Sequence, residues 1–250
     1  MLILKDVEKT YGVYKTAVDK VSLQVAPGEI VGLFGENGAG KTTLLKSILG
    51  LLRHGGTVEL DGEPVGRSNI HRLAFATCEH SFFPDLTASA HRDFMRDHFP
   101  GFREKRFKAL TEFFDLPTDR AARRLSTGQK NQLEVILALC QGADYILMDE
   151  PFAGNDVFNR DDFYKVLLGI LEPTEAVILS THLIEEVDSF ISRAVLLRAG
   201  KVVGDVSVLD LEERGETLMG FIQKTYHRSP DRVARALDQL TGGEEAVSYT

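Results

Sequence analysis

The chain of 250 residues is 43% hydrophobic and carries 29 Lys+Arg against 37 Asp+Glu, a net charge of -8. That length supports one large domain, or one core with a sub-lobe. The acidic balance argues against nucleic acid as a partner, because phosphate-backbone binding needs a basic face. The only cysteines, Cys78 and Cys140, imply no disulfide framework.

The N-terminal stretch MLILKDVEKTYG, charged at Lys5 and Asp6, does not read as a secretory leader. Strands are predicted over LILKDV, VSLQV and EIVGLF, separated by polar stretches and the turn APGE. KTTLLKSILGLL has the apolar spacing of a helix and stops near RHGG; TVELDG and RLAFAT read as further strands. From about Pro84 to Leu139 the pattern is mostly helical. The basic residues of its segment REKRFK, with Arg123 and Arg124, are expected on solvated helix faces.

Within that region RRLSTGQKNQLEV reads as a helix start rich in free backbone N–H groups, a ready anion site. Ser126 is its N-cap candidate and Gly128 is expected to bend the chain. Cys140, closing the apolar run, is expected to be a buried packing residue. YILMDEP, AVILSTH and AVLLRAG are then short apolar strands alternating with helical segments, the pattern of a parallel sheet. The tail GGEEAVSYT is expected to be disordered. No run approaches the roughly 20 apolar residues of a membrane-spanning helix, so work at a membrane would need another chain to supply the spans.

Three motifs carry chemistry. GENGAGKTT follows an apolar strand, opens a helix and matches the phosphate-binding loop G-x-x-x-x-G-K-[ST]. Its residues Gly35, Glu36, Asn37, Gly38, Ala39, Gly40, Lys41, Thr42 and Thr43 are the candidate nucleotide contacts. Glycines let backbone N–H groups wrap the β-phosphate, Lys41 reaches the β/γ-phosphates, and the Thr42 hydroxyl is a candidate Mg²⁺ ligand. In YILMDEP, Asp149 is placed to hold the Mg²⁺ shell and Glu150 to polarise a water for in-line attack on the γ-phosphate. AVILSTH adds a third strand ending in polar groups, Ser180, Thr181 and His182.

Together these residues resemble the ATP-binding cassette ATPases over about residues 2 to 225. LSTGQ, Leu125 to Gln129, is similar to the signature motif of that family, with Thr127 where glycine is frequent. The resemblance implies an α/β fold: a RecA-like P-loop core with an N-terminal antiparallel β lobe and an inserted helical lobe near 84–142. The domain would span 2–226, with 227–250 a C-terminal helix and tail. It implies ATP and Mg²⁺ as cofactors and a head-to-tail pair of cassettes, homo- or heterodimeric, in which Ser126, Thr127, Gly128 and Gln129 cap the ATP held by the partner. The family likeness also makes Lys41, Glu150 and His182 the catalytic set, His182 as the γ-phosphate switch. Tyr11, favoured over Tyr14, would stack on adenine. PFAGND would cross the dimer interface, with Asp156 at its acidic position and Asn155 and Val157 departing from the family pattern.

The implied function is ATP hydrolysis that powers a separate transmembrane permease. This chain would sit in the cytoplasm on the inner face of the membrane, and its helical segment resembles the cassettes of small bacterial exporters. A soluble cassette acting on ribosomes or DNA is a rival reading, but that group carries fused pairs or long coiled insertions. A regulatory module without turnover is another; Glu150 and His182 speak against it. One departure speaks for it. Where the family places a glutamine that touches Mg²⁺ and the attacking water, alignment through PDLT leaves Cys78, with Glu79 beside it. A thiol is a poor Mg²⁺ ligand, so water is expected to fill that place in preference to Glu79. Phe82 or Phe83, in the following loop, would then face the membrane partner.

Overall fold

Two sheets with one helix pressed between them set the architecture. The computed structural model describes residues 1–12, 15–151, 158–182 and 184–226, with 158–162 and 185–186 described through their backbone alone. The first sheet is antiparallel, in the order β2-β1-β4-β5: β1 Leu2–Tyr11, β2 Lys15–Val25, β4 Gly55–Leu60 and β5 Glu63–Pro64. Leu2, Leu4 and Val7 point inward from β1, and Val18, Val21, Leu23 and Val25 from β2. This is the alternation expected of a sheet with one wet face.

The second sheet has the order β10-β9-β3-β8-β7-β6. Its members are β3 Ile30–Phe34, β6 Leu73–Thr77, β7 Tyr145–Asp149, β8 Ala176–Thr181, β9 Arg193–Arg198 and β10 Lys201–Ser207. The pairs among β3, β6, β7, β8 and β9 are parallel, and β3, β7 and β8 are buried at every position. Being covered on both faces explains their continuous apolar runs. The edge strand β10, antiparallel to β9, was not foreseen from the sequence. It follows a tight turn in which both Ala199 and Gly200 have positive φ, as a type I′ hairpin demands.

Helix α1, Lys41–Ile48, fills the space between the sheets. Leu44, Leu45 and Ile48 pack in one cluster with Leu2 and Leu4 of the first sheet and with Val31 and Leu147 of the second. The apolar spacing predicts a helix through Leu52, but the helix ends at Ile48. Gly50 takes φ 67°, and the Leu51 N–H returns to Lys46 O at 3.0 Å, a Schellman ending. Leu51 is left 63% exposed.

The helices α2 Ala88–His98, α3 Glu104–Phe113 and α4 Thr127–Cys140 occupy the predicted helical region. Leu133, Ile136 and Leu139 of α4 share the larger core cluster with Ala74, Ile146 and Met148 of the second sheet. Cys140 is fully buried there, and burial pushes its thiol up to about 12. After α5 Phe158–Ile170 and α6 Ile184–Val187, two short helices not singled out from the sequence, α7 Val208–Glu213 and α8 Leu218–Thr225, close the described chain. The tail 227–250, expected as helix and disordered end, lies outside the described residues.

REKRFK corrects one expectation. Arg106 does not lie on a solvated face; its side chain is 7% exposed and that of its partner Glu175 is 2% exposed. The guanidinium donates to both Glu175 oxygens, at 3.0 and 2.9 Å, and to the carbonyls of Leu139 and Ile170. One side chain of α3 thereby joins the ends of α4 and α5 to the turn before β8. The apolar neighbour Phe107 gave the helix its buried stripe, but spacing could not show that an arginine shares it. Without Arg106 the buried Glu175 would keep Arg103, 3.1 Å from Oε1, and the Glu172 N–H as partners. Arg106→Ala should therefore destabilise the fold in urea unfolding by less than the ~3–5 kcal/mol of a fully stranded buried charge.

Candidate functional site

The site is assembled where β3, β7 and β8 end. From β3 the chain runs through the loop Gly35–Gly40 into α1. This loop lies hard against backbone. A Cβ at Gly40 would stand 2.2 Å from Ala17 O, and one at Gly35 would stand 2.6 Å from Leu197 O. Gly40 also has φ 110°, a conformation open to glycine. Main-chain atoms thus form a cradle that side chains would fill. The Lys41 ammonium, on a side chain 7% exposed, donates to Gly35 O at 2.7 Å and lies 3.7 Å from Glu150 Oε1.

A cavity of about 230 Å³ opens over the loop, lined by residues 36–43, by Tyr11, Lys15 and Ala17, and by Glu150. Tyr11, the last residue of β1, is 43% exposed, with Lys9 Nζ 5.2 Å from its ring centroid. Its alternative, Tyr14, lies outside the described residues, as do Asn155, Asp156 and Val157 of the PFAGND segment.

Asp149 ends β7 almost buried and accepts two hydroxyl bonds: from Thr42 Oγ1 to Oδ2 at 2.6 Å, and from Ser180 Oγ to Oδ1 at 2.5 Å. Glu150 follows at φ 47°, a strained value for a residue with a side chain. Its N–H donates to Ser180 O at 3.0 Å, and its Oε2 accepts from His182 Nδ1 at 2.9 Å. The structure thus brings together Lys41, Thr42, Asp149, Glu150 and His182. Ser180, noted in the sequence only as one of three polar groups, holds the far oxygen of Asp149.

Beside these carboxylates the strand β6 ends at Thr77, paired in register with Asp149. Partial burial, then the negative charges of Asp149, Glu79 and Glu150, raise the Cys78 thiol above its ordinary value. The Glu79 carboxylate is drawn away to Lys46 of α1, at 2.6 Å. Phe82 packs half-buried against the core and Phe83 is 51% exposed. Between them sits His91, buried and held in one tautomer: its Nε2 accepts the Phe83 N–H at 2.9 Å and its Nδ1 bonds Thr87 O at 2.8 Å. Burial lowers its basicity.

LSTGQ lies apart from this cluster; none of the residues lining the P-loop cavity comes from it. Ser126 is the N-cap of α4, and Ser126 and Gln129 form a reciprocal capping box, at 3.1 and 3.2 Å. Gly128 does not bend the chain. It is the second residue of α4, because the turn is completed at Ser126 before the helix begins. One supporting residue had no sequence signal of its own. Tyr226, after α8, donates its hydroxyl to Leu197 O at 3.0 Å, bracing the strand end that abuts Gly35.

A model of the ABC transporter family matches residues 18–153. The chain belongs to the ABC transporter family. It is 32% identical over 215 residues to the lipopolysaccharide export system ATP-binding protein LptB of Haemophilus influenzae, covering 81% of this chain and 89% of that one. It is 32% identical over 206 residues to the SkfA peptide export ATP-binding protein SkfE of Bacillus subtilis, covering 80% and 86%. A match to the Nod factor export ATP-binding protein I of Paraburkholderia xenovorans has 34% identity over 209 residues, covering 80% and 68%. The fold matches the dimeric post-hydrolysis form of the ATP-binding cassette MJ0796 bound to ADP and Pi, with TM-score 0.73, 24% identity and coverage of 83% and 99%. This ABC cassette is accordingly an ATP-hydrolysing subunit that powers a separate permease.

The cradle is the most exacting part of the site. Gly40→Ala should lower stability by about 1–3 kcal/mol through the strained φ. Because the new Cβ collides with a main-chain oxygen, nucleotide affinity should fall as well. Urea unfolding and equilibrium nucleotide binding check the two effects separately.

Proposed function

We propose that this cassette drives an exporter from the cytoplasmic side, as one of two cassettes that pair head to tail around ATP. The observation that carries the assignment of roles is the single cluster of Lys41, Thr42, Asp149, Glu150 and His182, contributed by three strand ends distant in sequence. Export as the direction is supported by the relatives named for lipopolysaccharide, peptide and Nod factor export. Membrane spans would come from the partner, since no helix among the described residues is long and apolar enough to cross a bilayer.

Loop residues 35–43 bind the triphosphate through backbone N–H groups, and Lys41, now donating to Gly35 O, supplies the cation for the β/γ-phosphates. Tyr11 at the cavity rim offers its ring to the base. The Thr42 hydroxyl and Asp149 carboxylate are hard oxygen donors that fit Mg²⁺, which when bound neutralises phosphate charge. Ser180 keeps Asp149 oriented for that role. Glu150 accepts the proton of the attacking water, with His182 Nδ1 holding its Oε2. Glu79, committed to Lys46, leaves the family's glutamine place to water. Ser126, Thr127, Gly128 and Gln129 open α4 and cap the partner's ATP, with the Thr127 and Gly128 N–H groups left outside the capping box.

Glu150→Gln should retain ATP binding, abolish turnover and trap a nucleotide-bound dimer visible by size-exclusion chromatography. Hydrolysis at the wild-type rate would remove Glu150 as the base. Lys41→Ala should instead weaken ATP binding itself.

The shared-site arrangement has its own test. Ser126→Arg should leave monomer folding and ADP binding intact and block ATP-driven pairing. Mixing it with Lys41→Ala chains leaves one sound composite site per mixed dimer, and a mixture no more active than either parent would count against sharing.

A further inference from the structure

A second cavity, of about 430 Å³, shares Glu36 and Asn37 with the nucleotide cavity but is walled by α8 where the other is walled by α1. Its α8 wall is Met219, Ile222, Gln223 and Tyr226, at the i, i+3, i+4, i+7 spacing of one helix face. Phe34, His182 and Ile184 belong to the rest of the wall. Among the described residues no lysine or arginine lines it, and His182 is engaged by Glu150. A phosphate or carboxylate ligand would therefore find no cation there. The lining suits apolar side chains instead. Ile222 and Tyr226 pack against the larger core cluster on their other sides, but among the described residues both clusters leave Met219 out.

The chain itself supplies a fitting neighbour. Residues 227–250, outside the described residues, continue directly from Tyr226 in the cavity wall. The sequence HRSPDRVARALDQLTGG carries helix signals: Ser229 as N-cap, Pro230 at the first helical position, Asp231 in the first turn and Gly242 as the stop. Val233, Ala236, Leu237 and Leu240 repeat the i, i+3, i+4, i+7 spacing, and Asp231, Arg235 and Asp238 fall on the opposite face. From Val233 to Leu240 the stripe would run about 10 Å. Residues 227–229 alone separate it from α8, a connection of the length that joins antiparallel helix pairs. Fully extended, three residues reach about 10 Å. The helix thus starts beside the cavity, and so short a tether gives docking a millimolar effective concentration.

We propose that residues 230–241 form a helix that turns back antiparallel to α8 and fills this cavity with its apolar face. Folding the chain at 227–229 sets Leu237 opposite Met219 and Val233 opposite Gln223. The seated helix covers the flank of the site where Phe34, Gly35 and His182 meet, and removes its own stripe and Met219 from water. Docking of this kind needs neither nucleotide nor a second chain.

The full chain, free of nucleotide, provides the test. Cys140 is buried, so a Cys78→Ser background leaves no exposed thiol among the described residues. Met219→Cys and Leu237→Cys are added together, and a short bis-maleimide crosslinker is applied. Mass spectrometry of the digest should find a crosslink within one chain. Met219→Cys with Asp238→Cys, one residue further on but on the charged face, should lose it, and so should Leu240→Asp added to the first pair. Equal yields from the two pairs would mean proximity by tether alone and overturn the docking, as would no crosslink in either. Mixing Met219→Cys chains with Leu237→Cys chains asks whether a second copy is the occupant. A crosslink between chains in place of one within a chain overturns the proposal. A further measurement leaves the cavity wall unaltered. Leu237→Asp with Leu240→Asp should uncover the cavity and raise the fluorescence of the apolar dye ANS, and unchanged fluorescence overturns the docking.

Discussion

Asp149 is the point at which three elements are locked together. Its two oxygens take hydroxyl protons from α1 and from β8 while its own backbone ends β7. A carboxylate this buried is tolerated only if its acceptor capacity is used. Both donors, Thr42 and Ser180, stand where a strand end or a helix start leaves a hydroxyl free. Their bonds bring Lys41 and Glu150 close, since each is the chain neighbour of a member of the pair. The site is therefore a consequence of strand order: β3 and β7 both flank β8, and their C-terminal ends open on the same edge. Ligands of open α/β sheets bind at such an edge.

The same economy shows in the backbone. Gly35 and Gly40 lie against carbonyls of Leu197 and Ala17, so the phosphate loop is clasped between the two sheets by main-chain contact. Strain is admitted where function needs it. Glu150 at φ 47° turns its side chain from the strand toward Lys41 and His182, and the Ser180 carbonyl holds it there. Tension of that kind survives because α1 packs into a closed apolar layer on both sides.

Two polar links tie the helical layer to the sheet. Arg106 with Glu175 is buried and bonded through both terminal guanidinium nitrogens, a pairing that specifies one arrangement more than it adds stability. Glu134 and Asn131 hold the loop after β6, the loop that carries Cys78. Partial burial first, and then the nearby carboxylates, raise the Cys78 thiol above its ordinary value.

By itself the sequence determined the parallel core, the phosphate loop, the paired carboxylates and the helix start at Ser126. These depend on local order: apolar runs of strand length, glycine at fixed spacing, a serine followed three residues later by glutamine. Whatever depended on partners far along the chain was decided only in three dimensions. Arg106 reads as a surface charge until Glu175 is found 69 residues away, and Glu134 reads as a helix-face acid until Ser81 lies against it. The hairpin to β10 and the brace at Tyr226 were equally silent, because a short edge strand and a single hydroxyl leave no periodic mark. Even Gly128, which looks like a bend, became helix because Ser126 and Gln129 had already satisfied the turn. Local patterns record what a residue prefers; burial beside a distant group decides what it does.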